Sequence, residues 1–288
     1  MRIAPLLALV LVSTTGCAAF REDSATASGK VGVAAAFYPL AFVAQEVGGD
    51  HVAVTNLTQA GKEPHDLELD IKTTADVADA ELVLVEHGFQ PTVDDAVAQV
   101  ATGDVLDVAD VVDLEGDDPH FWQDPARMAT LTEAVADELA DLDPDHADTF
   151  RANADRLVGE LRDLDGAYAD GLRGCERDTI VVSHDAFGYL AKYGLQIEGI
   201  AGLSPEAEPT PADLARLQDL IRSDGITTVF SERLVSPRLT AQLAKDMGIT
   251  TEVLDPIEGL SDETSQEDYL SLMRENLAAL EQANGCPA

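Results

Sequence analysis

The sequence predicts an α/β protein: two lobes, each a mostly parallel sheet with flanking helices, joined by one long rigid α-helix. Three observations predict it. Short apolar runs alternate with segments of helical composition between residues 31 and 142, the signature of parallel strands with helices on both faces. The same alternation returns from residue 179 onward. Between the two regions, residues 145–172 contain no proline and carry Phe150, Ala154, Leu157, Leu161, Leu164, Tyr168 and Leu172. Those steps of three and four make one apolar helical stripe, and a continuous helix of that length would run about 42 Å.

The elements follow in chain order. Met1-Arg2, an apolar run over 3–12 and Ser13-Thr14-Thr15-Gly16-Cys17 have the layout of an export signal. The run is too short to span a bilayer as a mature helix. The cysteine after Thr-Gly resembles a bacterial lipobox, although Thr14 stands where such boxes carry an aliphatic residue. Residues 1–17 are therefore expected to be a lipoprotein signal peptide with Cys17 as the lipidated residue. Residues 18–30, rich in small and charged side chains, suit a flexible tether.

The N-terminal lobe is expected over 31–142, with strands at 31–36, 52–57, 82–85 and 104–108 and helices at 39–47, 73–80, 91–100 and 130–142. A linker helix is expected within 143–174, opened by Asp143-Pro144-Asp145, which offers caps and acidic first-turn residues. The C-terminal lobe is expected over 175–288, with strands at 179–183, 196–200, 227–231 and 251–254 and helices at 187–193, 211–223, 237–247 and 266–282. Pro211 suits a first helical turn, and Gly248 the position just past a helix end. Two such lobes leave a crevice at the carboxyl ends of their strands. Cys175 and Cys286 are an even pair in an exported chain and are expected to form a disulfide.

The formal charge is −36, from 54 acidic against 18 basic side chains. That balance excludes nucleic acid as a partner. It favours a soluble surface that attracts cations, most of it a solvated face.

Three of the six histidines sit in marked contexts. His65 follows Gly61-Lys62-Glu63-Pro64, where glycine and proline fix a turn. His120 lies in Asp118-Pro119-His120-Phe121-Trp122, where Trp122 would give the imidazole a dry wall. His184 closes an apolar strand, a site position in an α/β fold. Neutral imidazole is the commonest protein ligand for transition metals, and three of them make most of a tetrahedral site. His51 and His146 fall at the far ends of their elements; His87 follows a strand and could face the crevice. An oxygen donor is expected at the end of a late strand, where both Asp255 and Glu232 stand. Three histidines and one carboxylate suit Zn2+, whereas more carboxylates would lean to Mn2+. A zinc hydrolase would need an open coordination position and a base, for which Glu63 or Glu232 would serve. No His-Glu-x-x-His string is present, and the chain is expected not to be an enzyme.

Pro64-His65-Asp66, Pro119-His120-Phe121-Trp122, Ser183-His184-Asp185-Ala186-Phe187-Gly188-Tyr189, the run from Gly199 to Pro209 and Leu254-Asp255-Pro256 carry a family resemblance. The chain resembles the zinc/manganese substrate-binding lipoproteins of bacterial ABC importers, the cluster A-I group. The resemblance implies two α/β lobes, one long helix and a metal between them. It implies His65, His120, His184 and Asp255 as metal ligands; Glu63, Glu232 and Trp122 are expected as accessory residues from their own positions, and His87, which departs from the family pattern, as an accessory contact. Histidine at 184 implies the zinc type. Where many zinc-type members carry a long His-rich loop, this chain has the short acidic segment 113–118. The expected function is high-affinity capture of extracytoplasmic Zn2+, with Mn2+ as the alternative metal, and delivery to an ABC membrane permease. The expected form is a monomer anchored by lipid to the outer face of the bacterial cytoplasmic membrane. A surface-adhesin role has no separate support in the residues. Imidazoles bind metal only when neutral, so affinity is expected to fall as pH drops through about 6–7.

Overall fold

The computed structural model describes residues 29–287; the export signal and Cys17 lie outside the described residues. Four parallel strands form the N-terminal sheet: β1 (Val31–Ala35), β2 (Val52–Asn56), β3 (Leu82–Val85) and β4 (Asp104–Asp107), in the order β2-β1-β3-β4. The C-terminal sheet repeats the plan with β5 (Thr179–Val182), β6 (Gln196–Gly199), β7 (Thr228–Ser231) and β8 (Thr250–Val253), in the order β6-β5-β7-β8 and again parallel. Around the first sheet lie α1 (Tyr38–Gly48), α2 (Ile71–Asp79), α3 (Pro91–Val100) and α4 (Pro125–Leu142). The long α5 (Ala147–Gly171) leads to the second lobe, with α6 (Pro211–Asp224), α7 (Arg238–Met247) and α8 (Tyr269–Asn284). The fold is the one the alternation of apolar runs predicts.

Strand composition explains the sheet positions. Leu-Val-Leu-Val in β3 and Thr-Ile-Val-Val in β5 are buried along their whole length, as parallel strands covered on both faces must be. In each sheet the first strand pairs on one side with the second and on the other with the third. That reversal of winding opens a crevice beyond the carboxyl ends of the strands.

Two elements differ from expectation. Helix α4 begins at Pro125 rather than near residue 130, because the Asp124 carboxylate accepts the Ala126 amide and Pro125 fits the first turn. Residues 188–193 form a 3-10 turn rather than an α-helix, closed by Gly194 at φ 94°. Helix α5 has 25 residues, about 38 Å. Phe150, Ala154, Leu157, Leu161, Leu164 and Tyr168 make its buried stripe, and α4 packs along it.

The lobes share one apolar core. It runs from Val33 and Leu84 through Phe121, Trp122 and Leu161 to Phe187, Leu254 and Met273, with a smaller cluster around Val181, Leu217 and Val229 in the second lobe. Polar contacts reinforce the join. The Lys192 ammonium lies 2.7 Å from both the Asp124 carboxylate at the start of α4 and Asp165 on α5. The Tyr193 hydroxyl donates to the same Asp165. Cys175 and Cys286 form a disulfide that closes 111 residues of chain.

Candidate metal centre

Four segments deliver side chains to the crevice. The first is the loop after β2. There Gly61, at φ 78°, turns the chain, and its amide donates to the Leu260 carbonyl of the second lobe. Buried Gln90 donates its side-chain amide to the Pro64 carbonyl and to Thr58. That loop holds His65 edge-on against Phe89, with ring centroids 4.7 Å apart.

His120 follows the acidic loop and is fully buried beside Trp122. Its Nδ1 lies 2.7 Å from Asp118 Oδ1, which also accepts the His120 backbone amide. Gly188 makes room for that carboxylate, since a Cβ there would sit 2.6 Å from Asp118 Oδ2.

His184 stands just beyond β5, also fully buried. Its Nδ1 lies 2.6 Å from Glu232 Oε1, and its backbone amide and the Ser183 hydroxyl donate to the same oxygen. Glu232 itself sits at the end of β7. A carboxylate on Nδ1 fixes the ring orientation and turns Nε2 toward the site, and it raises the basicity of that nitrogen.

The carboxylate that joins the histidines is Glu258, not the expected Asp255. His65, His120, His184 and Glu258 each offer one ligand atom within 4.8 Å of the others. Glu258 Oε1 lies 3.4 Å from Nε2 of His120, 3.4 Å from Nε2 of His184 and 3.6 Å from Nε2 of His65. The two Nε2 atoms of His120 and His184 are 3.4 Å apart. Zinc bonds of about 2.0–2.1 Å in a tetrahedron place ligand atoms about 3.3–3.4 Å from one another. Among the described residues, neither His65 Nε2 nor Glu258 Oε1 has a hydrogen-bond partner, although both are buried.

Asp255 is committed elsewhere. Its Oδ2 pairs with Arg233 Nε at 3.1 Å, its Oδ1 accepts the Ile257 amide at 2.8 Å, and its backbone amide and carbonyl are both bound by the Asn276 side chain. It shapes the turn that aims Glu258. Ile257 adopts φ 61°, a left-handed conformation that costs a β-branched residue about 1–3 kcal/mol. The indole N–H of Trp122 and the Gln123 side-chain amide both donate to the Pro256 carbonyl and hold the turn from the other lobe. The sequence signal for Glu258 is slight: a glutamate before glycine, one residue beyond the Asp-Pro-Ile turn.

Burial disfavours a charged His184, but the hydrogen bond to Glu232 and the facing Glu258 carboxylate outweigh it and push the pKa up to about 10. Burial likewise opposes a charged His120, which Asp118 and Glu258 still raise. Burial opposes a charged Glu258, yet the imidazoles of His120, His184 and His65 that face it hold it well below the carboxylate range. The pocket is thus a compact cage of one negative oxygen among three nitrogens.

The other expected residues fall into place around it. Glu232 orients His184, and Trp122 walls His120. Glu63 has both carboxyl oxygens buried without hydrogen-bond partners among the described residues; burial and the neighbouring Glu258 push its pKa up to about 8. His87 is 75% exposed and pairs with Asp94 at 3.3 Å. His51 and His146 stack on each other, ring centroids 3.8 Å apart, at the start of α5 and outside the cage.

Known proteins resemble this chain. The family of the periplasmic zinc-uptake complex component A, ZnuA, matches residues 33–283. The chain is 35% identical to the zinc-binding lipoprotein AdcA of Streptococcus pneumoniae over 305 residues, covering 97% of this chain and 60% of that protein. It therefore spans about three-fifths of the length of that relative. It is 30% identical to the high-affinity zinc uptake system protein ZnuA of Bacillus subtilis, covering 94% and 93% of the two chains. The crystal structure of the Zn(II)-bound ZnuA-like domain of Streptococcus pneumoniae AdcA matches with a TM-score of 0.77 at 35% identity, over 89% of this chain and 99% of that one. With residues 33–283 matched by the model of that family, the chain belongs to the ZnuA family of periplasmic zinc-uptake components.

Proposed function

We propose that this protein binds one Zn2+ through His65, His120, His184 and Glu258 outside the cytoplasm and delivers it to the membrane permease of an ABC importer. The observation that carries the reading is the spacing of the ligand atoms: Glu258 Oε1 stands 3.4–3.6 Å from three imidazole nitrogens, close to the edge of a zinc tetrahedron. Three nitrogens and a single carboxylate oxygen favour Zn2+ over Mn2+. Relatives named for zinc binding and zinc uptake support the same metal.

Binding rather than catalysis follows from the ligand set. Four protein ligands fill the tetrahedron and leave no position for an activated water. The shared core and the Lys192 clamp favour small movements over a wide hinge, so release needs ligand exchange within the crevice rather than separation of the lobes. Residues 31–142 and 175–288 are read as the two lobes and 143–174 as their connector. Residues 1–17 are read as a lipoprotein signal, with Cys17 as the anchor to the outer face of the cytoplasmic membrane, 18–30 as the tether and a monomer as the working form. The name of the lipoprotein relative supports that reading.

Calorimetric titration of the metal-free protein tests the proposal. It should take up one equivalent of Zn2+ and prefer it to Mn2+ in competition. His65→Ala, His120→Ala and His184→Ala should each lose tight binding. A preference for Mn2+, or unchanged affinity in the three variants, would overturn it.

A further inference from the structure

Beside His65, the end of β3, the acidic loop and the second lobe enclose a half-open cavity of about 380 Å³. Its lining includes His65, Glu86, His87, Asp117, Pro119 and Ser204. Six waters at about 30 Å³ each occupy roughly 180 Å³, so a fully hydrated divalent cation fits.

The inner wall of this cavity holds a carboxylate that the buried cluster does not use. Glu86 is only 3% exposed, and its Oε2 has no hydrogen-bond partner among the described residues. A buried carboxyl oxygen left without a donor costs about 1–3 kcal/mol or more, which a cation in the cavity would recover. Burial, and then the neighbouring charges of Asp107 and Asp118, push its pKa well above the carboxylate range, so the carboxyl keeps its proton until a cation in the cavity takes that proton's place. At the mouth stand the exposed His87 imidazole and Asp117, carried on the tight turn at Gly116, which has φ 65°. The loop around them is braced from the other lobe, where the Tyr189 hydroxyl accepts the Glu115 amide and donates to the Asp118 carbonyl.

We propose that this cavity is a second, weaker divalent-cation site: a loading station where hydrated Zn2+ is held by Glu86, with His87 and Asp117 at its mouth, before His65 draws it into the buried cluster. The proposal rests on the zinc-binding reading of that cluster. In the station the metal keeps its waters and meets the carboxyl groups mostly through them. Passage to the cluster then exchanges water for imidazole one ligand at a time, beginning at His65, the one ligand that lines both spaces.

A loading station speeds capture without changing the final affinity. Trp122, whose ring centroid lies 5.2 Å from that of His120, reports arrival of the metal by stopped-flow fluorescence. Glu86→Gln keeps the shape and hydrogen-bonding capacity of the side chain. It cannot give up a proton to a cation and become anionic as Glu86 does, and should slow Zn2+ association and dissociation alike by about 10-fold, the low end of the effect of an anionic group in a cleft, with the equilibrium Kd unchanged. The double variant His87→Asn/Asp117→Asn touches only exposed side chains and should slow association by a few-fold; it decides the matter alone if Glu86→Gln fails to fold. Association rates equal to wild type in the variants overturn the proposal. So does a weakened Kd with an unchanged association rate in Glu86→Gln, which would make Glu86 a support of the cluster. A wild-type chain that takes up no zinc would instead overturn the reading of the cluster, and the loading station with it.

Discussion

Asp255 and Glu258 belong to one turn and serve different ends. Asp255 ends its strand at the crevice, but Arg233, Ile257 and Asn276 saturate it. Glu258 looks like a loop residue in the sequence, yet it is buried with one oxygen facing three imidazoles. Glu258→Gln removes the anionic ligand and should weaken Zn2+ binding by two orders of magnitude or more, read by competition with a chromophoric chelator. Asp255→Asn keeps an oxygen for the Ile257 amide and should change the affinity by only a few-fold; the reverse ranking would return the ligand role to Asp255. Behind His184, Glu232→Gln loses the charge that raises the basicity of Nε2. Such outer partners contribute about 10–100-fold in metal affinity, and the same titration should show a loss in that range.

At the scale of elements, the strands carry the site because their carboxyl ends meet in one crevice. His184 is legible in the sequence because an apolar strand ends just before it, and His65 because Gly61 and Pro64 pin its loop. Glu258 is not legible on those grounds. Its direction depends on a left-handed Ile257, a conformation that β-branched residues avoid, and on hydrogen bonds from Trp122 and Gln123 in the other lobe. Periodicity finds helices but not their starts, and α4 is set by a local cap at Asp124 that precedes its apolar stripe. The Trp122 contact has a measurable consequence. Trp122→Phe leaves the Pro256 carbonyl with the Gln123 donor alone, and loss of one hydrogen bond to a group that stays satisfied costs about 0.5–1.5 kcal/mol. Thermal unfolding should show that cost together with a several-fold weaker Zn2+ affinity. The disulfide behaves differently, since Cys175 precedes the amino end of β5 while the site lies beyond the carboxyl ends. Cys175→Ser/Cys286→Ser should cost about 2–5 kcal/mol of stability and leave the Zn2+ affinity unchanged in calorimetry.

For the whole molecule, the metal-free cage stores proton-linked energy. His184, raised to about 10, contributes stability that is fully present below the unfolded value near 6.5 and is lost as pH rises through its folded value. Glu63, raised to about 8, and Asp255, raised to about 6, push the same way, because the unfolded chain releases their protons first. Glu258 is depressed, so its contribution is present above about 4.3 and is lost as pH falls through its lower folded value. Metal-free protein should therefore melt at progressively lower temperature from about pH 6 to pH 10. His184→Gln should remove the part of that slope above about pH 8, where Glu63 no longer contributes, and saturating Zn2+ should flatten it. A metal-free Tm that rises over that range would contradict the proton assignment. Zinc must also displace these protons, so its binding enthalpy should vary with the ionisation enthalpy of the buffer.

The most direct measurement is an anomalous-diffraction map of the Zn2+-loaded crystal, recorded on both sides of the zinc edge. It should show one strong peak in the crevice, about 2.0–2.2 Å from Nε2 of His65, His120 and His184 and from a Glu258 oxygen, with Asp255 still on Arg233. A peak coordinated by Asp255, or a metal bound away from these four side chains, would contradict the account.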